Sequence, residues 1–249
     1  MAERETTPPA TVWSRPERGA RGPAPERSRY EITAAALALA DAEGLAAVSM
    51  RALAQRLGTG PASLYRYVGS RDELLDLMAD AVAGELDLSA APSGDWLGDL
   101  VGLALQSKAA HARHPWLAEL NDRRGEVLGP YAIDYLEHAL AVLAPAPGTS
   151  RQKLEAIGLL GGLATLFARR EPPASAEAPA SAGSAQGTPG AAGDPPAQAA
   201  HLAAVAAEGR HPHLLAALMT AGPPPVAGPA ERDALFERLL RRLLPAMLS

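Results

Sequence analysis

At 249 residues the chain has room for one large domain or for one small and one medium domain, and 47% hydrophobic residues suffice for a sizeable core. Aromatics are only 4%, so alanine and leucine do most of the packing, which is an all-helical composition rather than a strand-rich one. The zero cysteine count excludes a disulfide framework, thiol catalysis and cysteine zinc sites, and a net charge of −5 argues against a protein that coats nucleic acid with its whole surface.

Residues 1–26 mix Pro, Arg, Glu, Thr and Ala without a period and are expected to be a disordered arm. Arg15, Arg18, Arg21, Arg27 and Arg29 give two readings of it, a minor-groove arm or a plain tail. The amino terminus has no apolar core of the signal-peptide kind. The most apolar run, Ala156 to Ala168, is too short and too glycine-rich to span a bilayer. A cytoplasmic protein with no membrane partner is expected.

A first helix should run from Ser28 to Asp41, with Ile32, Ala36 and Leu39 as its buried stripe and Gly44 as its stop. Ser49 is placed to cap a second helix, on which Leu53 and Leu57 share a face. Gly58, Thr59 and Gly60 break it. Pro61 then opens a third helix, where a missing N–H is harmless, and Leu64 and Val68 repeat the four-residue spacing. Ser63, Tyr65, Arg66 and Tyr67 are left for its other faces. A short helix carrying hydroxyls, aromatic rings and an arginine suits the major groove of DNA. From Leu45 to Arg71 there are four arginines (Arg51, Arg56, Arg66, Arg71) and no Asp or Glu, a small basic face on an acidic body.

Ser70 and Glu73 have the spacing of a capping box, and predict a fourth helix reaching Leu88 with Leu74 (or Leu75), Met78, Val82 and Leu86 inward. A small-residue stretch, 89–94, follows. Further helices are expected at Asp95–His114, Trp116–Asn121, Gly125–Leu143 and Ser150–Arg170. A Pro/Ala/Ser/Gly loop should occupy 171–196, before helices at Gln198–Glu208, His213–Thr220 and Ala230–Leu248.

The first helix, the SMRALAQRLG–TGPASLYRYV pair and the SRDELLDLM that follows resemble the tetracycline repressor family of bacterial transcription regulators. The resemblance is close over 27–86 and rests on layout beyond residue 90. It implies an all-α fold: a three-helix DNA-binding domain with a helix-turn-helix at 27–86, then a helical ligand-binding and dimerisation domain at 92–249. It also implies double-stranded operator DNA and a small-molecule effector as partners, and neither cofactor nor enzymatic activity. Arg51, Thr59, Ser63, Tyr65, Arg66 and Tyr67 match DNA-contacting positions, and Arg71 matches a phosphate contact. Tyr65 has a second reading as a core residue bridging the short helices. Pro61 and Ala62 stand where some relatives carry polar groups, so no operator is inherited from them.

One recognition helix reads only a few base pairs, so such a regulator is expected to bind a palindrome as a homodimer. Ile157, Gly158, Gly161 and Gly162 on the helix at 150–170, with Leu235, Leu239 and Leu243 on the last helix, are the expected seam; an ordinary core is the other reading. The expected pocket is lined from Trp96, Leu103, Gln106, His111, Trp116, Tyr131, Tyr135 and Phe167, the few aromatic and polar groups at helical spacing among Ala and Leu. His111 with His114, and His211 with His213, have spacings that can bind zinc. Without Cys or a fixed carboxylate partner, hydrogen bonding to a helix end or a ligand is the nearer reading, and no metal is expected. No phosphate loop, nucleophile elbow or HExxH is present to support an enzyme. The four-arginine stretch argues against a helical adaptor that binds only protein, and repression against activation stays open.

Overall fold

The computed structural model describes residues 11–14, 27–124, 127–170, 200–201, 204–205, 211–221 and 228–249. The chain divides into two compact units, Met1–Ala174 with Ala234–Ser249, and Ser175–Asp233. Apart from a turn at Thr11–Ser14, the expected arm at 1–26 lies outside the described residues, as does the loop at 171–196. All regular structure among the described residues is helical.

Local chemistry starts and stops the first helices where the spacing placed them. Helix α1 spans Arg29–Glu43; Ser28 accepts from the Glu31 amide and Glu31 reaches back to the Ser28 amide, a complete capping box. Gly44 ends it at φ 83, a left-handed conformation that costs a glycine nothing. A 3-10 turn, Leu45–Ala47, leads to Ser49, whose hydroxyl caps α2 (Met50–Arg56). Gly58, at φ 65, closes α2: its N–H donates to the Gln55 carbonyl and that of Thr59 to Ala54, the paired bonds of a Schellman ending.

Two expectations are corrected here. Pro61 does open α3, but the α-helical part is only Pro61–Leu64. Tyr65 to Val68 continue as a tightened turn, with Arg66 N–H on Ser63 and Tyr67 N–H on Leu64. Helix α4 spans Arg71–Ala83 and stops at Gly84 rather than reaching Leu88. At its start the Ser70 hydroxyl accepts from Glu73 as foreseen, but Glu73 returns to the Gly69 amide at 2.8 Å, one residue before the cap.

Ile32, Leu53, Leu64, Val68, Leu74 and Met78 are buried in one core that fuses α1 to α4. That core also takes in Ala110, Trp116, Leu117 and Leu120. So α6 (Trp116–Arg124), expected to belong to the second domain, completes the first domain's core. Burying a side chain of this size stabilises by about 1.5–3 kcal/mol, ample reason for α6 to dock where α1 and α4 leave apolar surface.

The second core joins α5 (Trp96–Arg113), α7 (Pro130–Val142), α8 (Ser150–Ala168) and α10 (Pro229–Leu248) through Leu100, Ala104, Val142, Leu160, Phe236 and Leu240. Asp95 caps α5, and Thr149 with Gln152 forms a capping box on α8. Gln152 also donates from Nε2 to the Met247 carbonyl, which ties the start of α8 to the end of α10. Helix α7 opens at Pro130 without a local side-chain cap. The buried Asp80 of α4 supplies one instead, accepting from the Ala132 N–H at 2.9 Å. In the second unit the longest described helix is α9, Pro212–Ala221.

Candidate nucleic-acid interface and ligand cavity

The reading head is held by arginines that point inward as well as outward. Arg29 donates from Nε to the Tyr67 carbonyl at 3.0 Å, and Arg27 donates to the Leu57 carbonyl. Arg71, expected at a phosphate, donates from Nε to the Val48 carbonyl at 2.7 Å and from Nη2 to Leu45 at 3.1 Å. It fastens the start of α4 to the segment between α1 and α2. The remaining candidates present themselves to solvent. Arg51 and Arg66 are exposed, Tyr65 is 51% exposed, and Thr59 and Ser63 are half-buried. Arg66 rests on the Ser63 hydroxyl at 3.1 Å, so the two groups are presented together. Tyr67 is half-buried against the core, where its ring steadies the turn.

A cavity of about 500 Å³ opens between α4, α5, α6, α7 and α8. On the α4 side it is bounded by Ala79, Val82, Ala83 and Leu86, and on the α8 side by Ile157, Gly158, Gly161, Gly162, Thr165 and Leu166. Leu128, Tyr135 and Leu136 add apolar surface, while His111, Asn121 and Ser107 add polar groups. Asp122 and Arg169 also line it and pair with each other at 2.5 Å. Burial pushes the His111 imidazole below its usual range; its bond to the Ser107 carbonyl opposes this and the neighbouring His114 adds to it.

Three residues after His111, His114 joins three elements. Its buried ring follows the end of α5 and sets Nδ1 2.7 Å from Oδ1 of Asp41 on α1, and Nε2 2.9 Å from Oε1 of Glu85 just past α4. Trp116 donates from Nε1 to the same Asp41 oxygen at 2.7 Å, its ring edge-on to His114. Arg113 completes the cluster at 2.6 Å from Glu85. Burial raises the Glu85 carboxyl, but the Arg113 hydrogen bond and the His114 charge outweigh it and hold it below its ordinary value. At Asp80 burial wins: it raises the carboxyl against the lowering effect of the Ala132 and Tyr131 amides.

Of the eight residues expected at a pocket, His111 and Tyr135 line this cavity. The other six are used elsewhere. Leu103 and Phe167 are buried in the second core, where Phe167 packs on Phe236 with ring centroids 5.0 Å apart, and Trp96 lies against that core. Gln106 accepts from the Asp87 amide, and Trp116 is committed to Asp41. Tyr131 is half exposed beside Gly84. The α8 residues expected at a subunit seam, Ile157, Gly158, Gly161 and Gly162, line the cavity in this chain. Sequence reasoning missed the Asp41–His114–Glu85 cluster and the Asp80 cap. Their only local signal was a charged residue at a core-facing helical position. Among the described residues no group of three His, Asp or Glu side chains could hold a metal ion, and no helix is long and apolar enough to cross a membrane.

Two family profiles match: "Bacterial regulatory proteins, tetR family" over residues 32–78, and "Tetracyclin repressor-like, C-terminal domain" over 88–248. The HTH-type transcriptional repressor DrrR1 of Streptomyces coeruleorubidus is 39% identical over 161 residues, covering 64% of this chain and 59% of DrrR1. An HTH-type transcriptional regulator of Saccharopolyspora erythraea is 37% identical over 150 residues, covering 60% and 62% of the two chains. The matched stretch thus spans about three fifths of each of these relatives. Among solved structures, Streptomyces coelicolor ActR in complex with (S)-DNPA superposes with TM-score 0.68 at 28% identity, covering 90% of this chain and 99% of ActR. ActR in complex with actinorhodin gives 0.66 at 29%, covering 88% and 97%. With its helix-turn-helix, its helical second domain and both profiles in register, the chain belongs to the tetracycline repressor family of bacterial transcriptional regulators.

Proposed function

We propose that this chain is a repressor that binds a palindromic operator as a homodimer and lets go when a small molecule fills the cavity between α4 and α8. The observation that carries this reading is the shared use of α4. Its last turn, Ala79 to Ala83, walls the cavity, while Arg71 at its start is bonded to the segment that positions the helix-turn-helix. A ligand pressing on one end of a rigid 13-residue helix moves the other. Coupling of this kind amounts to about 1–3 kcal/mol between the two sites. The relative DrrR1 is a repressor by name, and ActR has been solved with (S)-DNPA and with actinorhodin.

Base and phosphate contacts are assigned to Arg51, Thr59, Ser63, Tyr65, Arg66 and Tyr67. The dimer reading is supported by an exposed apolar stripe on α8: Leu154, Gly158, Gly162 and Leu166, four apart, the last three of which also edge the cavity. On α10, Phe236, Leu240 and Leu244 face the core and Leu235 and Leu239 pack half-buried against it, while Leu243 is 39% exposed. A seam built from α8 and α10 of each subunit would cover the α8 stripe and Leu243. The test is selection of DNA fragments by the purified protein, followed by footprinting and sedimentation with and without 9-phenanthrol. Two protected half-sites about 10 bp apart, or a multiple of that, are expected from dimer geometry. An asymmetric footprint made by a monomer would overturn the reading.

A further inference from the structure

We propose that the cavity is built for a neutral, ring-shaped ligand carrying a hydroxyl, whose O–H donates to Nε2 of His111. The inference rests on the reading of this cavity as the effector site and names the chemistry that the site selects.

The tautomer of His111 is set by its own helix. Nδ1 lies 2.9 Å from the carbonyl oxygen of Ser107, one turn back. A carbonyl can only accept, so Nδ1 carries the proton. Nε2 is left with its lone pair, and no described residue is bonded to it. Burial favours the uncharged ring, and Asp41 and Glu85 are engaged by His114 rather than by His111. His111 therefore offers an acceptor to the cavity, and its best complement is a donor.

The rest of the wall favours an uncharged ligand. Its charged groups, Asp122 and Arg169, are paired with each other at a half-exposed edge of the wall, so a carboxylate or an amine entering here competes with a counter-charge already in place. Ala79 and Ala83 on α4, with Gly158, Gly161 and Gly162 on α8, keep the walls low, which leaves width for a rigid fused-ring system. At about 500 Å³ the space is that of a drug-sized site.

The test compares three probes of one shape, 9-phenanthrol, 9-methoxyphenanthrene and phenanthrene-9-carboxylate, titrated against the full chain at pH 7.5 by probe fluorescence. The phenol should bind more tightly than the ether by about fivefold or more, the ratio given by one satisfied hydrogen bond at a buried acceptor. The carboxylate should bind least. His111→Leu should bring the phenol and the ether level. A 15N spectrum gives a reading without any variant: Nε2 of His111 should show an unprotonated signal that moves with 9-phenanthrol and stays put with the ether. Equal binding of phenol and ether by the unaltered protein, tightest binding of the carboxylate, or a phenol preference that survives His111→Leu would each overturn the proposal and leave the cavity as an effector site. Binding of none of the three would overturn the cavity reading itself.

Discussion

His114 and Asp41 are 73 positions apart in the chain, yet Nδ1 of one lies 2.7 Å from Oδ1 of the other. Through this bond the turn between α5 and α6 is tied directly to α1 of the DNA-binding domain. Glu85 on the other ring nitrogen ties the same turn to the end of α4. His111, one turn upstream on α5, lines the cavity. Cavity and reading head are therefore joined by two routes, α4 and the His114 cluster.

Replacing His114 with Phe keeps the ring and its packing on Trp116 but leaves Asp41 and Glu85 without the group between them. A fully buried pair broken this way costs about 3–5 kcal/mol; with both carboxylates about a third exposed, about 1–3 kcal/mol is expected. In a chain of this size that lowers Tm by several degrees, at about 2–4 °C per kcal/mol. Hydrogen exchange should quicken in α1 and not in α8. An unchanged melting curve would show that the cluster contributes no net stability.

What was legible in the sequence was local. Ser28, Ser49, Pro61 and Ser70 mark helix starts because a cap acts within three residues of itself, and Gly44 and Gly58 mark ends because their backbone turns left-handed there. Contacts between distant elements were not legible. Nothing near Asp80 reveals that it caps a helix starting fifty residues later, and nothing near Asp41 points to His114. The α8 glycines were ambiguous for another reason. A residue without a side chain suits a tight helix seam and a cavity wall equally, and only the neighbours decide. Phe167 is open to two readings in the sequence because an aromatic at helical spacing serves core and pocket alike, and Phe236, on which it packs, lies 69 positions on.

The link between α4 and α7 depends on Gly129 having no side chain. A Cβ at that position would overlap the Asp80 carboxyl group. Gly129→Ala should therefore displace Asp80 from the α7 amides and destabilise by about 1–3 kcal/mol, the cost of an unmet buried polar group. Combined with Asp80→Ala, the two losses should fall well short of additive, because both remove the same bond. Full additivity in urea melts would mean that Gly129 and Asp80 do not act on each other.

Stability should respond to pH in stages. His111 is held below its ordinary 6.5, so the unfolded chain takes up its proton first; its contribution is complete above 6.5 and is lost as pH falls through the lower folded value. Glu85 behaves likewise further down, contributing fully above 4.5 and losing that as pH falls through its depressed value. Asp80 runs the other way: its raised value gives stability in full below 3.8, lost as pH rises through the folded value. Denaturation midpoints should begin to drop below about pH 6.5, the ordinary histidine value. His111→Gln should flatten that first step and leave the later ones. A first step of equal size in the variant would remove His111 as its source.

The two arginines at the edges of the helix-turn-helix should fail in different ways. Arg51 is exposed, so Arg51→Ala should leave Tm unchanged while weakening binding to selected DNA. If it pairs with a guanine, the loss is about 1–3 kcal/mol and falls on one base position. Arg71 donates to Val48 and Leu45, and its removal takes the side-chain donor from the Val48 carbonyl and leaves the Leu45 carbonyl with the Val48 N–H. Arg71→Ala should lower Tm and weaken binding to every sequence alike, because the frame that orients the recognition turn loosens. Arg71→Lys should restore little, since a single ammonium cannot reproduce the two-pronged geometry. Melting curves and salt-dependent binding isotherms on the same preparations separate the roles. If Arg71→Ala kept its full Tm and lost only salt-dependent affinity, Arg71 would be a phosphate contact and not a frame.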